Sequence, residues 1–109
     1  MSFQKIKDLD GDGFRQAVID ERETALVCFV SDWSAPCREM ERVILKVAAR
    51  FYGTVAFYAV DVDNAPLVAA EYAVASIPTL VFFVRGEERD RMVGVRKSED
   101  LEKMIQRYL

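Results

Sequence analysis

The chain has 109 residues, of which 51% are hydrophobic and 30% charged, with 5 Gly, 3 Pro, 2 Cys and no His. This composition predicts one compact domain spanning residues 1–109 and excludes a disordered or collagenous chain. Without His there is no Ser/His/Asp or Cys/His catalysis and no His-ligated metal, and a net charge of −3 gives no electrostatic reason to meet nucleic acid or an anionic membrane.

In chain order, the opening Met1-Ser2-Phe3-Gln4-Lys5-Ile6-Lys7-Asp8 carries no apolar leader, and two cysteines are too few for a secreted disulfide framework. A cytoplasmic protein is expected. Phe3 to Lys7 reads as a short strand, followed by a helix capped by Asp12 with Phe14, Ala17 and Val18 at i, i+3 and i+4. Asp8-Leu9-Asp10-Gly11-Asp12-Gly13 matches the opening of a calcium loop, but Ile19 stands where the bidentate Glu belongs and Arg15 where an apolar residue belongs. It reads instead as an acidic helix-capping loop. Ala25 to Val30 is a continuous apolar run, the pattern of a strand buried on both faces. From Cys37 onward, Met40, Val43, Ile44, Val47, Ala48 and Phe51 recur at helical spacing until Gly53. Val55 to Val60 is a second buried strand; both runs are far shorter than the roughly 20 residues of a membrane helix.

Asn64 and Pro66 then predict a cap and first turn for a short helix ending near Tyr72, and Thr79 to Val84 a further strand. Arg85-Gly86-Glu87-Glu88 turns into a more polar strand over Asp90 to Val95. Ser98 caps a last helix with Leu101, Met104, Ile105 and Tyr108 on one face. The order βαβαβαββα predicts an α/β three-layer sandwich: crossovers, a hairpin and a closing helix.

The chemistry is expected between the second strand and its helix, at Ser31-Asp32-Trp33-Ser34-Ala35-Pro36-Cys37. The carboxyl end of a buried strand meets the positive end of a helix there. Backbone N–H groups of a first helical turn stabilise a thiolate, and a redox dithiol needs its second sulfur one turn later; this is the logic of C-x-x-C. Cys37 fills the second position, and Ser34 stands in the first.

Across nearly its whole length the sequence resembles the thioredoxin family. Trp33-Ser34-Ala35-Pro36-Cys37 resembles the family's W-C-G-P-C motif, with Ser for the nucleophilic Cys and Ala for Gly. Ser76-Ile77-Pro78-Thr79 resembles its cis-proline loop, Asp61-Val62-Asp63 the acidic end of its third strand, Gly86 its hairpin glycine and Gly94 the glycine beside its substrate groove. The resemblance implies the thioredoxin fold, with a central mixed five-stranded sheet flanked by four helices, and thiol–disulfide exchange on protein disulfides. It further implies electrons from a thioredoxin reductase, no metal and no bound cofactor. Substrate would be held by Trp33, Pro36, Ile77, Pro78 and Gly94, attacked from position 34 and resolved by Cys37.

Three departures stand beside these matches. Cys28 occupies the place of the family's buried Asp, and Ala59 that of the Lys which commonly partners it, so both members of a buried polar pair are replaced together. Arg42 replaces a helix-kinking Pro, which predicts a straighter helix. Ser34 admits three readings: a change introduced into a redox-active chain, a natural loss of the nucleophile in a binding module, or an ordinary helix N-cap. Without a base it is a poor nucleophile in any of them. Cys37 is either the resolving thiol or a small buried apolar residue, and Cys28 either core filler or a buried relay or disulfide partner for Cys37. Trp33 is expected to be partly exposed and to anchor a bound peptide. The alternative to an oxidoreductase is a redox-silent adaptor that binds a protein partner through the Trp33 and Pro78 groove.

Overall fold

The computed structural model describes residues 6–109, and its centre is the apolar run Ala25–Val30, strand β2. The sheet is completed by β1 (Ile6–Leu9), β3 (Ala56–Asp61), β4 (Thr79–Val84) and β5 (Glu87–Val93), in the spatial order β1-β3-β2-β4-β5. Strands β1 and β2 run parallel to β3, while β4 is antiparallel to β2 and β5. This is the mixed sheet expected from two crossovers followed by a hairpin.

The run is apolar throughout because successive side chains face two different cores. Ala25, Val27 and Phe29 join Phe14, Val18, Val60, Val68, Val81 and Phe83 on one face. Leu26 and Cys28 join Met40, Ile44, Val47, Leu80, Phe82, Leu101 and Met104 on the other. The first face is covered by α1 (Gly11–Phe14), its π-helical continuation Arg15–Asp20, and α3 (Pro66–Glu71); the second by α2 (Ala35–Arg50) and α4 (Ser98–Gln106). At the centre of the first core the rings of Phe14, Tyr72 and Phe83 meet edge to face, with centroids 5.3 to 5.7 Å apart. Among the described residues no helix is long and apolar enough to cross a membrane.

Element order follows the sequence pattern, and several boundaries do not. The first strand is Ile6–Leu9; residues 3–5 of the expected Phe3 to Lys7 lie outside the described region. The first helix is capped by Asp10, not Asp12, because the Asp10 carboxylate accepts from the Gly13 N–H at 2.7 Å and Asp12 already lies inside the first turn. The Glu21 N–H then reaches back five residues to Gln16 O, which gives the wider π geometry. Helix α2 starts at Ala35 rather than Cys37, capped by Ser34, and closes at Phe51 before Gly53 turns the chain at φ +88°. It continues unbroken through Arg42. Residue 65, not Asn64, precedes α3, and no side chain caps it. Strand β5 begins at Glu87 rather than Asp90, since Arg85 (φ +56°) and Gly86 (φ +82°) alone form the two-residue hairpin turn. The last helix is capped by Lys97 in extended conformation; Ser98 is its first residue, and its hydroxyl donates to Glu99.

The reassigned cap carries a test. Asp10→Ala should destabilise the fold by about 1 kcal/mol, through loss of the bond to Gly13, while Asp12→Ala should cost a few tenths at most. Paired urea titrations compare them, and equal losses would contradict the assignment.

Candidate functional site

The end of β2 and the start of α2 place Ser34 and Cys37 one helical turn apart. Ser34 has extended backbone angles (φ −93°, ψ 117°), and its buried hydroxyl accepts the Cys37 N–H at 3.3 Å. Its carbonyl accepts the Arg38 N–H at 3.2 Å. The hydroxyl therefore acts as an N-cap at the position where the motif places a nucleophile. Pro36 is exposed in the first turn, where its missing N–H is no loss, and Cys37 is buried.

Trp33 is 71% exposed, as its place before the helix predicts. Its Nε1–H donates to Asp63 Oδ2 at 3.0 Å, and the buried Ser31 hydroxyl donates to the same oxygen at 3.0 Å. Asp63 follows β3, whose neighbourhood to β2 is extended by the Val62 N–H donating to Val30 O at 2.9 Å. Asp61 and Asp63 were recognisable in sequence as the acidic end of a strand. The assignment of Asp63 to Trp33 was not, because it depends on the β2–β3 pairing.

The second half of the site arrives by register. Phe29 pairs with Thr79, and Thr79 with Val93, so Pro78 and Gly94 lie beside the end of β2 where the helix begins. The Ile77–Pro78 peptide bond is cis. Thr79 Oγ1–H donates to Ser76 O at 2.6 Å, and the Gly94 N–H donates to Pro78 O at 2.8 Å, so strand β5 is tied directly to the proline loop. Ile77 is partly exposed, and Gly94, at φ +89°, presents open space where a side chain would stand. Trp33, Ile77 and Gly94 thus follow or precede strand ends on the same side of the sheet, where the register of β2, β4 and β5 brings their backbones together. This arrangement suits an extended peptide.

Behind the helix lies something the sequence did not announce. A cavity of about 410 Å³ is lined by Cys28, Cys37, Ile44 and Ala59 and edged by Asp8, Asp32, Arg38 and Glu41. Asp8 pairs with Ala59 and Ala59 with Cys28, so the three share one face of the sheet. The small residues Cys28 and Ala59 border this space. Both cysteines are free thiols. Burial, and secondarily the charge of Cys37, push the Cys28 thiol far up, so it stays protonated near neutral pH.

The thioredoxin family model matches residues 5–107 of the chain. The chloroplastic M-type thioredoxin of Spinacia oleracea is 29% identical over 106 residues, 97% of this chain and 59% of that protein. The thioredoxin of Porphyra purpurea is 32% identical over 109 residues, 100% of this chain and 99% of that one. The chain therefore spans little more than half of the first relative and nearly all of the second. A mutant thioredoxin from Halobacterium salinarum NRC-1 has the same fold, with a TM-score of 0.85 at 27% identity over 99% of this chain and 95% of that one.

Proposed function

The chain belongs to the thioredoxin family, and from that premise we propose that it is a thioredoxin-type thiol–disulfide oxidoreductase whose nucleophile position is held by Ser34, so that it holds protein disulfide substrates without turning them over. The observation that carries this reading is the pairing of Ser34 and Cys37 one turn apart at the helix start, beside the cis Ile77–Pro78 loop. In the parent reaction a thiolate at position 34 attacks the substrate disulfide, and Cys37 then attacks the resulting mixed disulfide. The second attack releases the reduced substrate and leaves an intramolecular disulfide, which a reductase of the thioredoxin reductase type would reduce. Trp33, Pro36, Ile77, Pro78 and Gly94 hold the substrate chain. Within this proposal the protein works in the cytoplasm, where a reducing pool keeps Cys28 and Cys37 as thiols. Cell fractionation tests that address.

One observation favours a second reading. The Ser34 hydroxyl is engaged as a cap, and Trp33 is held outward by Asp63, so the groove is complete without a dithiol. A redox-silent adaptor would use it in this form. Insulin reduction by the protein and by its Ser34→Cys variant separates the two readings: turnover or an accumulated mixed disulfide in the variant supports the disabled oxidoreductase, and a folded variant showing neither supports the adaptor.

A further inference from the structure

We infer that Arg96 selects the substrate: the groove takes protein disulfides flanked by an acidic side chain on the Gly94 side, whose carboxylate pairs with the Arg96 guanidinium. The inference rests on the proposed use of the groove for a protein disulfide and adds which sequence around that disulfide it takes.

Strand β5 ends at Val93, and the hydrogen bonds around that end place the guanidinium. The Gly94 N–H donates to Pro78 O at 2.8 Å, and the Arg96 N–H donates to Met40 Sδ at 3.4 Å, so this stretch is tied both to the proline loop and to α2. Nε–H and Nη2–H of Arg96 both donate to Val93 O at 3.3 Å, which brings the side chain back to the strand end instead of releasing it into solvent. That oxygen belongs to the peptide group joining Val93 to Gly94. The charge is therefore fixed next to the glycine, where nothing lies within 4 Å of the place a Cβ would take. A guanidinium is a fork of N–H donors, and the hold on Val93 O leaves Nη1 to meet a carboxylate.

This charge is uncommitted. Arg50, Arg91 and Arg107 meet carboxylates at 2.6 to 2.8 Å, whereas among the described residues no carboxylate pairs with Arg96. Glu99 and Asp100, the next acids along the chain, sit in the first turn of α4, and the Glu99 carboxylate accepts the Ser98 hydroxyl. Exposed Lys97 adds a second positive charge, and exposed Val93 and Val95 flank Gly94 with apolar surface. The Trp33 end has mainly the opposite sign. Asp63 holds the indole, Asp61 accepts the Asp63 N–H, and Asp32 precedes Trp33 with its carbonyl taking the Arg38 guanidinium. A carboxylate at the Arg96 end of a bound segment is attracted, and the same carboxylate over Asp63 is repelled, so the charges set the direction of the segment as well as its choice.

The test is a nuclear magnetic resonance titration of the isotope-labelled full chain with short cystine peptides, identical except for Glu, Gln or Lys beside the half-cystine, on its amino side or on its carboxyl side. In one of the two placements the Glu peptide should bind about 3-fold more tightly than the Gln peptide and about 10-fold more tightly than the Lys peptide at low salt, with the Gly94 and Arg96 signals moving most. The preference should shrink as salt is raised. Arg96→Gln should erase it and Arg96→Glu should reverse it, with far-ultraviolet circular dichroism showing that both stay folded; where the Glu variant does not fold, Arg96→Gln alone decides. Equal binding of the three peptides in both placements, or the same preference in folded Arg96→Gln, would overturn the inference and leave the substrate groove standing. No shift at Ile77 or Gly94 with any peptide would overturn the groove itself, and the inference with it.

Discussion

Ser34→Cys is expected to convert a protein with no measurable insulin-reducing activity into one that turns over. A serine hydroxyl with no base beside it ionises negligibly at neutral pH, whereas a cysteine is already about a few per cent thiolate and intrinsically more nucleophilic. The position adds to that difference. The Cys37 N–H, which now donates to the Ser34 hydroxyl, would donate to the introduced sulfur at a helix N-terminus, the setting that lowers thiol pKa values. Cys37 is one turn away to resolve the mixed disulfide. The second step should nevertheless be slow, since Cys28 and Ala59 stand where the family's acid and its partner would help move the Cys37 proton. Mixed disulfide should therefore accumulate and be visible by mass spectrometry before reductant is added. A folded variant showing neither turnover nor mixed disulfide would remove the oxidoreductase reading and leave the adaptor.

The largest stability effect is expected at Phe83. Its side chain is fully buried on the face covered by α1 and α3, and its ring stands edge to face against Phe14 at 5.7 Å and Tyr72 at 5.3 Å. Truncation to alanine removes the transfer energy of the ring, two aromatic contacts and the support each gives the other, and leaves a void that close-packed neighbours fill only partly. Phe83→Ala should cost about 3–5 kcal/mol and lower the melting temperature by roughly 12 °C or more. Urea unfolding followed by circular dichroism measures it. A loss below about 1 kcal/mol would mean that the cluster is not the packing centre described here.

How much of this was legible beforehand depended on the range of each interaction. The strand Ala25–Val30 and the helical stripe Met40, Ile44 and Val47 are written into local periodicity, and both stand where the pattern placed them. The cap expected at Asp12 falls on Asp10, and those expected at Asn64 and Ser98 fall one residue away, on Ala65 and Lys97, where no side chain takes part. Asp10 and Asp12 are equivalent in sequence, and only the backbone angles at Asp10 decide which carboxylate reaches an N–H. The hairpin was misjudged because Arg85 adopts a positive φ, which its residue type does not advertise. At the site, the motif residues were readable one by one, but the Trp33–Asp63 bond and the cavity of Asp8, Ala59 and Cys28 join three separate strands or their ends. No pattern along one segment encodes a pairing across three.

The outward setting of Trp33 has one more consequence, for observation rather than chemistry. It is the single tryptophan of the chain, so all indole emission arises at the proposed groove and none from the core. A segment laid over Trp33 would dehydrate the ring and shift its emission to shorter wavelength, and a change at Asp63 would alter the local field on the indole nitrogen. The protein thus carries a built-in optical probe of groove occupancy. Affinity, kinetics and competition at the groove can be followed without a label, in the same sample that reports the unfolding of the sheet through far-ultraviolet dichroism.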